Sequence, residues 1–209
     1  MLRAGVDHLD AILLTHQHND HIIGLDDVRP FNFKSHTDMP VYCTRPVQAE
    51  LQKRFAYIFA TQNRYPGAPM VKLETISKRQ AFEVGGISVQ PVEAMHGRMP
   101  ILGFRIGDFA YMTDVKTIAE TERAKLQGLH TLVLSALHKR PHHSHLNLEE
   151  ALAMIEALQP KQTYLTHLSH SMGKYEEIER ELPEGVNIGY DQLRIEVPSP
   201  IMQSTPPRS

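Results

Sequence analysis

The segment Thr15-His16-Gln17-His18-Asn19-Asp20-His21 constrains this chain more than any other. It places four potential metal ligands, His16, His18, Asp20 and His21, directly after the apolar run Asp10-Ala11-Ile12-Leu13-Leu14-Thr15. That run reads as a short buried strand. A strand end can splay several side chains toward one point and hold them there. Histidine offers neutral nitrogen and aspartate hard oxygen, a mix that suits zinc or manganese. A polar turn with surface histidines is the plainer reading, but it leaves the H-x-H-x-D-H spacing unexplained.

The rest of the chain reads as alternating strands and helices. Val41–Thr44 is expected as a strand, with Pro46 opening a helix to about Phe55. Residues 61–70 hold Asn63, Pro66, Gly67 and Pro69 and read as a loop. Strand-like runs follow at 71–76, 81–84, 87–93, 101–106 and 109–113, with Gly85-Gly86 as a hairpin turn. A helix is expected over 117–127 and a strand over 131–135. Asn147, with Glu150 three residues on, caps a helix to about Leu158, whose apolar residues Leu148, Ala151, Leu152, Ile155 and Leu158 keep helical spacing. Strand 163–166, a helix near 174–182 and a last strand at 193–197 complete the pattern. The expected class is α/β, in one domain over residues 1–197. The proline- and serine-containing tail 198–209 is expected to stay disordered.

Three further strand ends carry candidate ligands, in the order His96, Asp114 and His167. Each alone is more often structural. As an ordered set with the first motif they resemble the metallo-β-lactamase superfamily. Gly24-Leu25-Asp26-Asp27 followed by Arg29-Pro30-Phe31 is similar to the phosphoribosyl cyclic phosphodiesterase branch of phosphonate breakdown. The resemblance implies an αββα sandwich and two divalent metal ions, zinc or manganese. It places His16, His18 and His96 on the first ion, Asp20, His21 and His167 on the second, and Asp114 as the bridge. Cys43, the lone cysteine, occupies no ligand position. The family has several strands ahead of the histidine motif that this sequence does not show, so the expectation is an N-terminally shortened fold lacking the first strands. Such a fold would leave a sheet edge and an apolar face that a homodimer could cover.

The implied activity is hydrolysis of a small cyclic or nucleotide-like phosphodiester through a metal-bridging hydroxide. Asp20 is placed in the catalytic machinery as well as among the ligands. His145, in His142-His143-Ser144-His145 ahead of the 147–158 helix, is placed where it can protonate the leaving oxygen or stabilise phosphoryl charge. His142, His143 and Arg140 read as loop residues. His170 lacks the cysteines with which relatives hold a structural zinc. The aromatics Phe55, Tyr57, Phe59 and Tyr65 could stack on a sugar or base, or could be ordinary core. Lys plus Arg is 22 against 24 for Asp plus Glu. That near-neutral balance argues against a nucleic-acid partner and so against a tRNA-processing nuclease, the first alternative. A thioester hydrolase on the same metals and an inactive metal-binding remnant are the others. The first residues lack an apolar signal region and no apolar run is long enough to span a membrane, so a cytoplasmic location is expected.

Overall fold

A computed structural model describes residues 2–197. The tail expected to be disordered, 198–209, lies outside the described residues. The chain groups into two compact units, one up to Ile87 and one from Ser88. Each has its own apolar core.

The first unit begins with a 3₁₀ turn at Leu2–Ala4 and strand β1, Ile12–Leu13. Helix α1 (Asn19–Ile22), a 3₁₀ stretch (Ile23–Val28) and helix α2 (Arg29–Ser35) then run in succession. Strand β2 (Met39–Cys43), helices α3 (Arg45–Arg54) and α4 (Ala56–Phe59), and strands β3 (Val71–Thr75) and β4 (Phe82–Val84) follow. Strands β1, β2 and β3 pair in that order and all run parallel, with Val41 opposite Ile12 and Leu73. Burial alternates along β2 because only one face meets the core, where Met39, Val41 and Cys43 pack. On the other face Tyr42 stacks on Phe82, ring centroids 4.7 Å apart. Helix α3 carries a proline in its first turn, where a missing N–H costs nothing, and buries Val47 and Leu51 four residues apart.

The second unit holds strands β5 (Ile87–His96), β6 (Met99–Ile106) and β7 (Phe109–Met112), then helix α5 (Glu120–Arg123) with a 3₁₀ turn over Ala124–Leu126. Strand β8 (Thr131–Ser135), helix α6 (Leu148–Leu158), strand β9 (Gln162–Thr166), helix α7 (Tyr175–Glu181) and strand β10 (Val186–Ile188) complete it. These strands lie in the order β10-β9-β8-β7-β6-β5. The β5/β6 and β6/β7 pairs are antiparallel, and those from β7 to β10 are parallel. Every residue of β8 is buried, the signature of a central strand covered on both faces. This topology positions the site. Strand β5 runs in the same direction as β7, β8 and β9, because β6 opposes both β5 and β7. Their C-terminal ends therefore share one edge of the sheet, where open α/β sheets gather ligands.

The capping box expected at Asn147 is present. Asn147 accepts from the Glu150 backbone N–H at 2.8 Å, and Glu150 accepts from the Asn147 N–H at 3.0 Å. Two expectations differ from the structure, and one stretch had none. The helix over 117–127 is cut to Glu120–Leu126, because Lys116 and Thr117 bond to the Met95 backbone and Leu146 N–H donates to Val115. The last strand is β10 and not 193–197; Val186 and Ile188 are the residues that bury against β9. The segment after the histidine motif is helical through Ser35, with Ile22, Leu25 and Val28 buried at three-residue spacing.

Candidate metal centre

In the first unit the motif is set by the end of β1. Leu14 N–H donates to Tyr42 at 3.0 Å, which carries the chain along β2 for one more residue. His16 follows and is 1% exposed. Its Nδ1 lies 3.0 Å from Thr15 Oγ1 and its Nε2 lies 3.2 Å from His18 Nδ1. His18 is extended and precedes α1, whose first turn carries Asp20 and His21. His21 N–H returns to the His18 carbonyl at 3.1 Å, closing the turn. The turn brings the His21 ring to 4.3 Å from that of His16, centroid to centroid. Asp20 Oδ2 lies 3.2 Å from His21 Nε2, with the carboxylate largely in solvent. Arg54 of α3 donates to Asn19 and so holds the turn from outside. The four sequence-derived candidates of this segment thus converge in two successive turns.

In the second unit the remaining candidates meet at the shared strand edge. His96 is the last residue of β5, and its Nδ1 lies 2.9 Å from the Ser144 carbonyl. The chain then reverses through Gly97, at φ 61°, where a Cβ would sit 3.2 Å from that of Ser144. Asp114 follows β7 and is 2% exposed. It adopts the left-handed conformation at φ 57°, one that aspartate tolerates better than most residues. Thr113 Oγ1 donates to Asp114 Oδ2 at 2.7 Å. His167, at φ 55° directly after β9, places Nε2 3.4 Å from Asp114 Oδ1. His145 places Nδ1 3.5 Å from the same oxygen, and its ring lies 4.4 Å from that of His96 and 5.3 Å from that of His167.

His145 lies beside the candidate ligands: His96, Asp114 and His145 each offer a ligand atom within 4.8 Å of the others. Its Nδ1 is buried and makes no hydrogen bond. Burial, then the neighbouring His96, pushes its imidazolium down to about 4. Imidazoles around one buried carboxylate are a donor set that zinc or manganese accepts, so the residues fit a metal. His138 was missed in the sequence. Its Nδ1 is buried without a hydrogen-bond partner, and its ring lies 5.7 Å from that of His142. The signal available was the density of histidines over 138–145. His170 and Arg140 are exposed, as is His143. Among the aromatics, Phe55 is core while Tyr57 and Tyr65 face solvent. No helix among the described residues is long and apolar enough to cross a membrane.

A family model described as a beta-lactamase superfamily domain matches residues 2–168. An octanoyltransferase of Porphyromonas gingivalis (strain ATCC BAA-308 / W83) is 39% identical over 193 residues, 92% of this chain. The chain spans 39% of the length of that protein. A crystal structure of a diphosphatase from the PhnP family is similar with a TM-score of 0.84 and 37% identity, over 92% of this chain and 72% of the other. Zinc-bound PqqB from Methylobacterium extorquens shares the fold at a TM-score of 0.69 and 18% identity, over 90% of this chain and 73% of its own.

Proposed function

Because the chain belongs to the metallo-β-lactamase superfamily, in its PhnP-like branch, and has that fold, we propose that it is a binuclear metal-dependent phosphodiesterase acting on a small phosphodiester. The observation that carries this reading is the convergence of His96, His145 and His167 on the buried Asp114 carboxylate. The residues that would hold the metal are His16, His18, Asp20, His21, His96, Asp114 and His167, with Asp114 shared between the two ions if two bind. The diphosphatase relative supports a phosphorus centre as the target. Zinc or manganese would supply a water of lowered pKa and positive charge for the phosphoryl oxygens.

The protein's own groups prepare the site. Thr113 fixes one oxygen of Asp114, and the left-handed backbone at Asp114 and His167 turns both side chains back toward the strand edge. The Ser144 carbonyl selects the tautomer of His96 that carries its proton on Nδ1, leaving Nε2 as the lone-pair donor. His145, neutral in this setting, would offer an N–H to the leaving oxygen and so stabilise the charge that develops there. Asp20, largely in solvent beside His21, is the carboxylate best placed to exchange protons with water.

The octanoyltransferase relative favours a second reading, a thioester hydrolase on the same ligands. One experiment separates the two. Metal content is measured on the purified chain, and the same sample is assayed with bis-p-nitrophenyl phosphate and with an octanoyl thioester. About two equivalents of metal with turnover of the phosphodiester alone supports the first reading, and thioester turnover alone supports the second. The double substitution His16→Ala, Asp114→Ala with unchanged metal content would overturn the ligand assignment itself.

A further inference from the structure

The first unit carries a cavity of about 320 Å³ that the metal chemistry does not use. Its walls include Arg29, Phe33, Arg64, Tyr65, Gly67 and Met70. The size suits a small organic ligand. The wall is held rigidly by Asn32, which is 2% exposed. Asn32 donates to the Thr37 and Met70 carbonyls and accepts from the Met70 N–H, each at 2.9 Å, so α2 is tied to the chain entering β3. Those bonds leave Asn32 a structural part and give the ligand to its neighbours.

Two features of the neighbours point to the same ligand. Arg64 donates to the Pro69 carbonyl, and among the described residues it meets no carboxylate. A guanidinium has five donors, so most of its fork stays available to an anion. Arg29, by contrast, is already ion-paired with Asp26. The same cavity is lined by two large exposed rings, Phe33 at 61% and Tyr65 at 59%. Gly67, at φ 82°, brings the backbone close to Phe33, whose Cζ lies 3.9 Å from where a Cβ would sit. A fork for a phosphate beside rings that can stack is the combination that reads a base joined to a phosphate.

We propose that this cavity binds a nucleoside monophosphate or the equivalent end of a nucleotide, with Arg64 on the phosphate and Tyr65 or Phe33 against the base. The site stands on the first unit alone. That its ligand is also substrate or product of the hydrolase rests on the phosphodiesterase reading.

The test is titration calorimetry of AMP into the full chain freed of metal, which removes the metals as a competing phosphate site. AMP binds the wild type, and Arg64→Ala and Tyr65→Leu each weaken binding by about tenfold or more, the scale of a lost charged fork or stacked base. Arg64→Lys falls between wild type and alanine. Adenosine and ribose 5-phosphate each bind more weakly than AMP. The His16→Ala, Asp114→Ala chain keeps AMP binding while losing metal, which holds this site apart from the hydrolase assignment. Absence of AMP binding to the wild type, or equal binding by folded Arg64→Ala and Tyr65→Leu, would overturn the proposal.

Discussion

Thr113→Val separates two roles for the buried Asp114 carboxylate, the proposed metal ligand or a part of the fold alone. The exchange keeps the side-chain shape and removes one hydroxyl, the donor 2.7 Å from Asp114 Oδ2. Asp114 is 2% exposed, so water does not replace that donor. A hydrogen bond to a charged group contributes about 1.5–3 kcal/mol. Without metal the carboxylate can relax toward His145 and His167, at 3.5 and 3.4 Å from Oδ1, and recover part of that loss. With metal bound its orientation is fixed, and the loss is felt in full. Metal affinity should fall about 10- to 100-fold, the usual effect of removing a group that orients a ligand. The metal-free Tm should fall by less than the about 3–12 °C that the full loss would give at roughly 2–4 °C per kcal/mol for a chain of this size. Competition with a chromophoric chelator gives the affinity, and thermal unfolding with and without metal gives the stability. A Tm that falls while the metal affinity stays within twofold of wild type would refute the reasoning, because the hydroxyl would then serve the fold alone.

Three other perturbations test separate parts of the structure. Asn147→Ala removes the cap of α6, and should cost about 1 kcal/mol in urea unfolding with metal content unchanged. Gly103→Ala drives a Cβ to 2.1 Å from Met112 Sδ and 2.7 Å from the Tyr111 carbonyl. The sulfur can move but the carbonyl belongs to the β6/β7 pairing, so a loss of at least about 1–3 kcal/mol or of soluble protein is expected on expression and thermal melting. Cys43 is fully buried and burial pushes its thiol up to about 12. Native protein at pH 8 should therefore leave Ellman's reagent uncoloured while denatured protein reacts with one equivalent, and rapid native labelling would contradict the packing of β2.

What the sequence made legible is what local chemistry specifies. Asn147 and Glu150 announce α6 because their side chains satisfy two orphan backbone donors whatever surrounds them. The strand ends at His96, Asp114 and His167 were readable because the apolar runs before them stop abruptly, and the strand directions then put those ends on one edge of the sheet. The helix expected from 117 was misplaced for the converse reason: Lys116 and Thr117 give their backbone groups to Met95, a partner no local window contains. The helical run after His21 was hidden because its buried positions, Ile22, Leu25 and Val28, are interleaved with the polar residues that drew attention to ligands. His145 shows the limit most sharply. Its place in a histidine-rich loop signals chemistry, but spacing cannot say whether its nitrogen faces a leaving group or a carboxylate. Only the fold sets Nδ1 3.5 Å from Asp114, buried and without a hydrogen bond, beside a His96 whose own Nδ1 is taken by Ser144. Residue types thus named the chemistry, while the backbone turns at Gly97, Asp114 and His167 decide which atoms can share it.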